Sequence, residues 1–247
     1  MLNLELIIKF KNYLKIKIII FYLKMFSKTK INLELVEELN KARKNPREYS
    51  NTLSKRSKFI KKNSYNPYPH NFIYPLVEGK KSYDDAVSYL EKRNQYLSIE
   101  NLDPFVASED LSNIADDFLT AIMKLKDYLD INEIKKLDVK NYISPYGIIS
   151  GMVKILIYKN DINIKNIVND LVVNDGDKDK KLREIVFNKN LKMVGMSQFK
   201  DKNPLTVILL CEQFIKSGQN KDMLTQSEIN PDLDILEVIS RKKLAKK

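Results

Sequence analysis

The stretch Arg183-Glu-Ile-Val-Phe-Asn188, continued by Leu191-Lys-Met-Val-Gly195 and by Leu205-Thr-Val-Ile-Leu-Leu-Cys211, decides the fold. Leu191–Gln198 and Leu205–Cys211 are short apolar runs rich in residues that favour strands, and Phe199-Lys-Asp-Lys-Asn-Pro204 between them reads as a hairpin break. Upstream, Ile164–Val173 follows the capping residue Asn163 at helical spacing and stops at Asp175-Gly176, where glycine permits a left-handed turn. Helix, charged loop over 177–183 and paired strands together imply a mixed α/β domain.

Helices dominate the amino-terminal half. Asn32 caps a segment whose Leu35, Val36, Leu39 and Ala42 recur at helical spacing, and Asn45-Pro46 ends it, because proline disfavours helical geometry in the residue before it. A second helix runs from Pro46 to about residue 60. Residues 63–78, with Pro67, Pro69 and Pro75 among aromatics, read as a surface loop. A helix follows from Ser82 or Asp84 to Gln95, and 96–107 read as an extended connector. Ser108 opens what reads as the longest helix, reaching Leu129 with a stripe of Leu111, Ile114, Ala115, Phe118, Leu119 and Ile122. Pro145 and Gly147 read as breakers in an irregular stretch over 131–162, and Pro231 onward reads as a last helix running into a basic tail. The organisation expected is an amino-terminal extension over 1–31, one domain over 32–215, and a helix with a basic tail over 216–247.

The formal charge of +11 over 247 residues suggests a nucleic-acid partner until it is located. Residues 1–24 carry +4 and 240–247 carry +5, so the body between them is nearly neutral, although 25–62 lean basic. Phosphate backbones are bound by charge clustered on a folded face, so nucleic acid is an unfavoured partner. The two basic ends suit weak contact with an anionic membrane. Residues 1–24 are interrupted too often by lysine to span a bilayer and lack a cleavage site; an interfacial amphipathic helix, a poor secretory signal and an extension before a start at Met25 all remain open.

Several chemistries are excluded by composition. Cys211 is the one cysteine and His70 the one histidine, so no imidazole–thiolate pair beyond these two can assemble within a monomer. Asp84-Asp85 and Asp116-Asp117 are helix neighbours whose side chains diverge. Asn174-Asp-Gly-Asp-Lys-Asp179 resembles a calcium loop but lacks its closing glutamate, since Ile185 and Val186 stand there. No phosphate-binding loop, dinucleotide fingerprint or nucleophile elbow is present.

The order of landmarks resembles the CAP superfamily, the SCP or sperm-coating-protein domain, in its protist-like forms. They are Leu39-Asn-Lys-Ala-Arg-Lys-Asn45-Pro46, Glu78-Gly-Lys, the Leu111/Ala115/Asp117 helix, Tyr146-Gly147, Ile167-Val168 with Leu171 and Asp175-Gly176, and Arg183 through Asn188 to Gly195. The resemblance covers residues 32–215 and implies an α–β–α sandwich. It also implies a cleft of two histidines and two glutamates able to hold a divalent metal such as zinc, with roles in lipid or sterol binding, secretion and, in some members, proteolysis. Here the family's Gly-Glu-Asn-Ile glutamate falls on Lys154 and its Gly-His-Arg histidine on Leu182. The resemblance therefore implies a degenerate pseudo-site with no cofactor and a non-catalytic protein that binds protein or lipid. An unrelated α/β binding module, with nucleic acid or an anionic membrane as partner, and a CAP-like hydrolase with a rearranged site are the alternatives. Single-cysteine usage and the weak leader favour a cytoplasmic location, with secretion as the alternative.

Overall fold

The computed structural model describes residues 32–66, 72–96, 102–201, 203–218, 232–238 and 244–245. It is an α–β–α arrangement around one five-stranded sheet. The elements on the amino-terminal side are α1 (32–44), α2 (Pro46–Ser57), β1 (Ile60–Lys61), β2 (Ser64–Tyr65), β3 (Phe72–Pro75) and α3 (Lys80–Tyr96). Then come β4 (Val106–Ala107), α4 (Glu109–Ile122), α5 (Ile131–Lys135), α6 (Lys140–Ile143) and β5 (Gly147–Lys159). The chain continues through α7 (Ile164–Val173), α8 (Lys181–Val186), β6 (Met193–Phe199), β7 (Leu205–Lys216), β8 (Asp232–Val238) and β9 (Leu244–Ala245).

The main sheet has the order β4-β6-β7-β5-β8. β6 and β7 form the expected antiparallel hairpin, and β7 pairs antiparallel with β5 from Gly147↔Lys216 to Lys159↔Leu205. Successive side chains of a strand point to opposite faces. Leu156, Tyr158, Ile208, Leu210, Val194 and Met196 therefore enter one core with α1, α2, α3, α7 and α8. Ile155, Ile157, Val207, Leu209 and Cys211 enter a second core with α4, α5 and α6.

The local signals explain most helices. Ser108 caps α4 by accepting from the Leu111 N–H at 3.2 Å, and Asn163 caps α7 by accepting from the Asn166 N–H at 3.0 Å. Asn174 closes α7 in the left-handed conformation, φ 47°. Asn32 ties α1 to the sheet, its side-chain oxygen accepting from the Met196 N–H at 3.0 Å.

Five sequence expectations are corrected. The irregular stretch over 131–162 contains β5, the strand at the middle of the fold. It is buried on both faces, so its Ile-Ile and Ile-Leu-Ile runs show no alternation, and Gly147 is its first residue rather than a breaker. α4 ends at Ile122 rather than 129, where its buried stripe ends and the chain tightens into turns such as Lys124 N–H to Ala121 C=O; among the described helices α3 is longer. The loop over 177–183 contains the start of α8. The loop over 63–78 contains β2 and β3, which join β1 and β9 in a second sheet of order β1-β2-β3-β9. The residues after Pro231 form a strand, not a helix: β8 lies parallel to β5 and satisfies its outer edge, so the main sheet extends past residue 215.

Gly195 shows how tightly one layer sits. A Cβ there would lie 2.4 Å from the Ser112 nitrogen and 2.5 Å from the Leu111 carbonyl carbon, so α4 rests directly on β6. Gly195→Ala should lower the unfolding free energy by about 1–3 kcal/mol through overpacking, whereas Val77→Ala, at a 72% exposed side chain, should leave it within about 0.5 kcal/mol. Urea denaturation of the two variants checks this.

Candidate functional site

The positions singled out in the sequence fall into two groups. The first fastens layers together. Asn45 precedes α2, and Pro46 is buried at that helix's first position. Tyr146 donates to Asp117 at 2.6 Å, and that hydrogen bond, followed by burial, pushes its hydroxyl up to about 12. A Cβ on Gly147 would lie 2.1 Å from the Ile215 carbonyl oxygen, so only glycine lets β5 start against β7. Arg183 is 3% exposed. Its Nε donates to the Val172 C=O at 2.6 Å and its Nη2 to the Val173 C=O at 3.0 Å, while Nη1 meets Asp85 at 2.8 Å. It thereby satisfies carbonyls that α7 leaves open at its carboxyl end. The Asn188 carbonyl accepts from Arg43 Nη2 at 2.9 Å, and its side chain donates to the Met152 sulfur at 3.5 Å.

The second group is the pair Lys154 and Leu182. Lys154 lies on β5 opposite Leu210 of β7, and its alternation with Leu156 and Tyr158 directs it to the core that holds α7 and α8. Leu182, on α8, packs half-buried against that same core. Lys154 in the sheet and Leu182 in the helical layer thus face the same core. Neither an ammonium nor an isobutyl group ligates a divalent cation, so these positions do not fit the metal of the CAP cleft. Among the described residues no three His, Cys, Asp or Glu side chains come together as a metal site. His70 lies outside the described residues. Cys211 is fully buried on β7, and burial, followed by the Glu212 charge, pushes its thiol up to about 12.

The loop over 174–181 uses its oxygens internally. Asp175 accepts from the N–H groups of Val77 (2.7 Å) and Glu78 (3.0 Å). Asp177 accepts from Asn174 Nδ2 and from the N–H groups of Asp179 and Lys181, each at 3.0 Å. Burial works against the Asp177 charge, but these donors outweigh it and hold its pKa below the usual carboxylate value. Lys180 places its ammonium on Glu78 at 2.7 Å and on the Asn174 carbonyl at 3.1 Å.

Sequence reading missed a polar cavity lined by Arg56, Tyr65, Tyr74, Tyr158, Asp161, Asn166 and Asp170. α2, the small sheet, the end of β5 and the first turns of α7 converge there. Tyr158 donates to Asp170 at 2.5 Å, and Asp161 accepts from Ile162 N–H, Asn163 N–H and Asn166 Nδ2 at 2.8–3.0 Å. Arg56 donates to Asn166 Oδ1 at 3.1 Å and lies 4.8 Å from the Tyr65 ring centroid. Burial raises the pKa of Tyr65 and Tyr74. The cavity's volume of about 10 Å³ is room for about one water. The available signal was Tyr65 and Tyr74, which the register makes cross-strand partners, but it required the strands to be recognised first.

No family model matches the chain, and no curated protein matches it. Among solved structures, an outer surface protein of Borrelia burgdorferi matches with 16% identity over 53% of this chain and 92% of its own, at a TM-score of 0.29.

The two roles predict different sensitivities. Arg183→Leu should cost about 2–3 kcal/mol, because it strands buried carbonyls, whereas Asp85→Asn, at a half-exposed partner, should cost under about 1 kcal/mol; thermal unfolding compares them. Millimolar calcium should leave the melting temperature of the chain unchanged, because the loop's carboxylates are already occupied by protein donors.

Proposed function

We propose that this chain is a non-catalytic α–β–α domain of the CAP/SCP type that works by binding a protein or lipid partner. One observation carries the reading: Lys154 on β5 and Leu182 on α8, at the positions of a cleft glutamate and histidine in the resembled family, face the same core on one side of the sheet. The layer order and the seating of Tyr146, Gly147, Arg183, Asn188 and Gly195 at contacts between elements support the same reading. A lysine in that layer repels a divalent cation, and a leucine offers it no lone pair. The buried Cys211, with its thiol held far above neutral pH, is no nucleophile. Among the described residues no helix is long and apolar enough to cross a membrane. The single cysteine of the chain supports a cytoplasmic location, with secretion as the alternative.

Competition with a chromophoric zinc chelator tests the reading on the full chain. We expect no stoichiometric zinc uptake by the monomer and no metal-dependent hydrolysis of peptide or ester substrates. Tight zinc at one equivalent, or hydrolysis lost on chelation, would return the chain to the hydrolase alternative. A thiol reagent should leave Cys211 unmodified in the folded chain and label it fully in denaturant.

A further inference from the structure

The small sheet β1-β2-β3-β9 has two unlike faces. Its register aligns Ile60, Tyr65 and Tyr74 in one row, and these pack on the core. The alternate row, Lys61, Ser64 and Pro75, faces outward. Two of the four large apolar side chains exposed among the described residues continue this outward row at its ends. Phe59 is 42% exposed two residues before Lys61, and Val77 is 72% exposed two residues after Pro75. Lys61 and Lys62 are exposed on the β1–β2 hairpin, and Lys58 is exposed at the end of α2 just before it.

The fold also pairs β9 (Leu244–Ala245) with β3, Ile73↔Leu244 and Phe72↔Ala245. The described charge at this sheet is that of Lys61 and Lys62, with Lys58 just before β1. The nearby carboxylates do not cancel them: Glu78 is paired with Lys180, and Asp175 is held by the Val77 and Glu78 N–H groups.

We propose that the outer face of this small sheet, with Lys61 on its outward row, Lys62 next to it and Phe59 and Val77 at the row's ends, docks the chain on an anionic lipid bilayer. Charge alone would suit any polyanion. The exposed phenyl and isopropyl groups among the lysines select the bilayer, because apolar side chains gain by leaving water for the acyl boundary while the ammonium groups stay at the headgroups. A nucleic-acid backbone gives them no such sink. The inference rests on the reading of the chain as a binding protein and names its partner and surface.

Sedimentation of the full chain with phosphatidylcholine vesicles, with and without phosphatidylserine, tests it. Binding should require phosphatidylserine and weaken as salt rises. The Lys58→Glu, Lys61→Glu, Lys62→Glu triple variant should bind at least about ten-fold more weakly. Phe59→Ser with Val77→Ser should bind several-fold more weakly, with a steeper salt dependence. All five residues are exposed, so circular dichroism should match the unsubstituted chain; should the triple variant fail to fold, Lys61→Glu alone carries the test with a smaller loss. Three results overturn the proposal: no binding by the unsubstituted chain, binding indifferent to phosphatidylserine, or full binding by the folded variants, which would assign the contact to 1–24 and 241–247 alone. Zinc uptake tests the non-catalytic reading separately, so a chain that takes up no zinc and ignores vesicles fails only here.

Discussion

The antiparallel ladder between β5 and β7 is the constraint on which everything else hangs. Both strands are buried on both faces, from Val153 to Tyr158 and from Leu205 to Cys211. A sheet buried on both sides must be covered on both sides, and the alternation of Ile155 and Ile157 against Leu156 and Tyr158 divides the molecule into two cores. A one-residue slip of the ladder would exchange the two sets of side chains and misplace every helix. The remaining strands serve this pair: β6 extends β7, β8 covers the far edge of β5, and the two-residue β4 blunts the edge of β6.

The helical layer over α7 and α8 is pinned by polar side chains inside an apolar core. Arg43 is 1% exposed and lies 4.1 Å from the Phe105 ring centroid while donating to the Leu191 and Asn188 carbonyls. Burial, the largest influence on it, lowers its pKa to about 10. Asn40 clamps Phe105 in both directions, donating to its C=O at 3.0 Å and accepting from its N–H at 2.7 Å. Arg183 does the same for the end of α7. These groups answer backbone polar atoms that would otherwise be buried without partners, a costly condition.

The interior positions are packed: Lys154 and Leu182 face one core, the tyrosine-lined cavity has room for about one water, and Lys180 lies on the acidic loop. On the surface the small sheet presents Lys61 and Lys62 with Phe59 and Val77, in a place set by the pairing of β1, β2 and β3.

Signals written in neighbouring residues were legible in the sequence. Asn163 opens α7 and the helix stops just before the Asp175-Gly176 break, Pro46 starts α2, Ser108 starts α4, and the β6–β7 hairpin follows its apolar runs and their break. Each depends on contacts within a few positions, or on a periodicity that one buried face imposes. β5 was illegible because a strand covered on both faces has no periodicity to show, and Gly147 resembles a breaker until the Ile215 carbonyl is seen against it. β8 was illegible because its strand state answers the open edge of β5, a need arising some 80 residues away in the chain. The chemistry that Lys154 and Leu182 withhold follows from side-chain identity alone. Their seat on one face of the sheet, and the meeting of Arg56, Tyr65, Asp161 and Asp170, were decided by tertiary structure, because only packing brings distant segments within reach of one another.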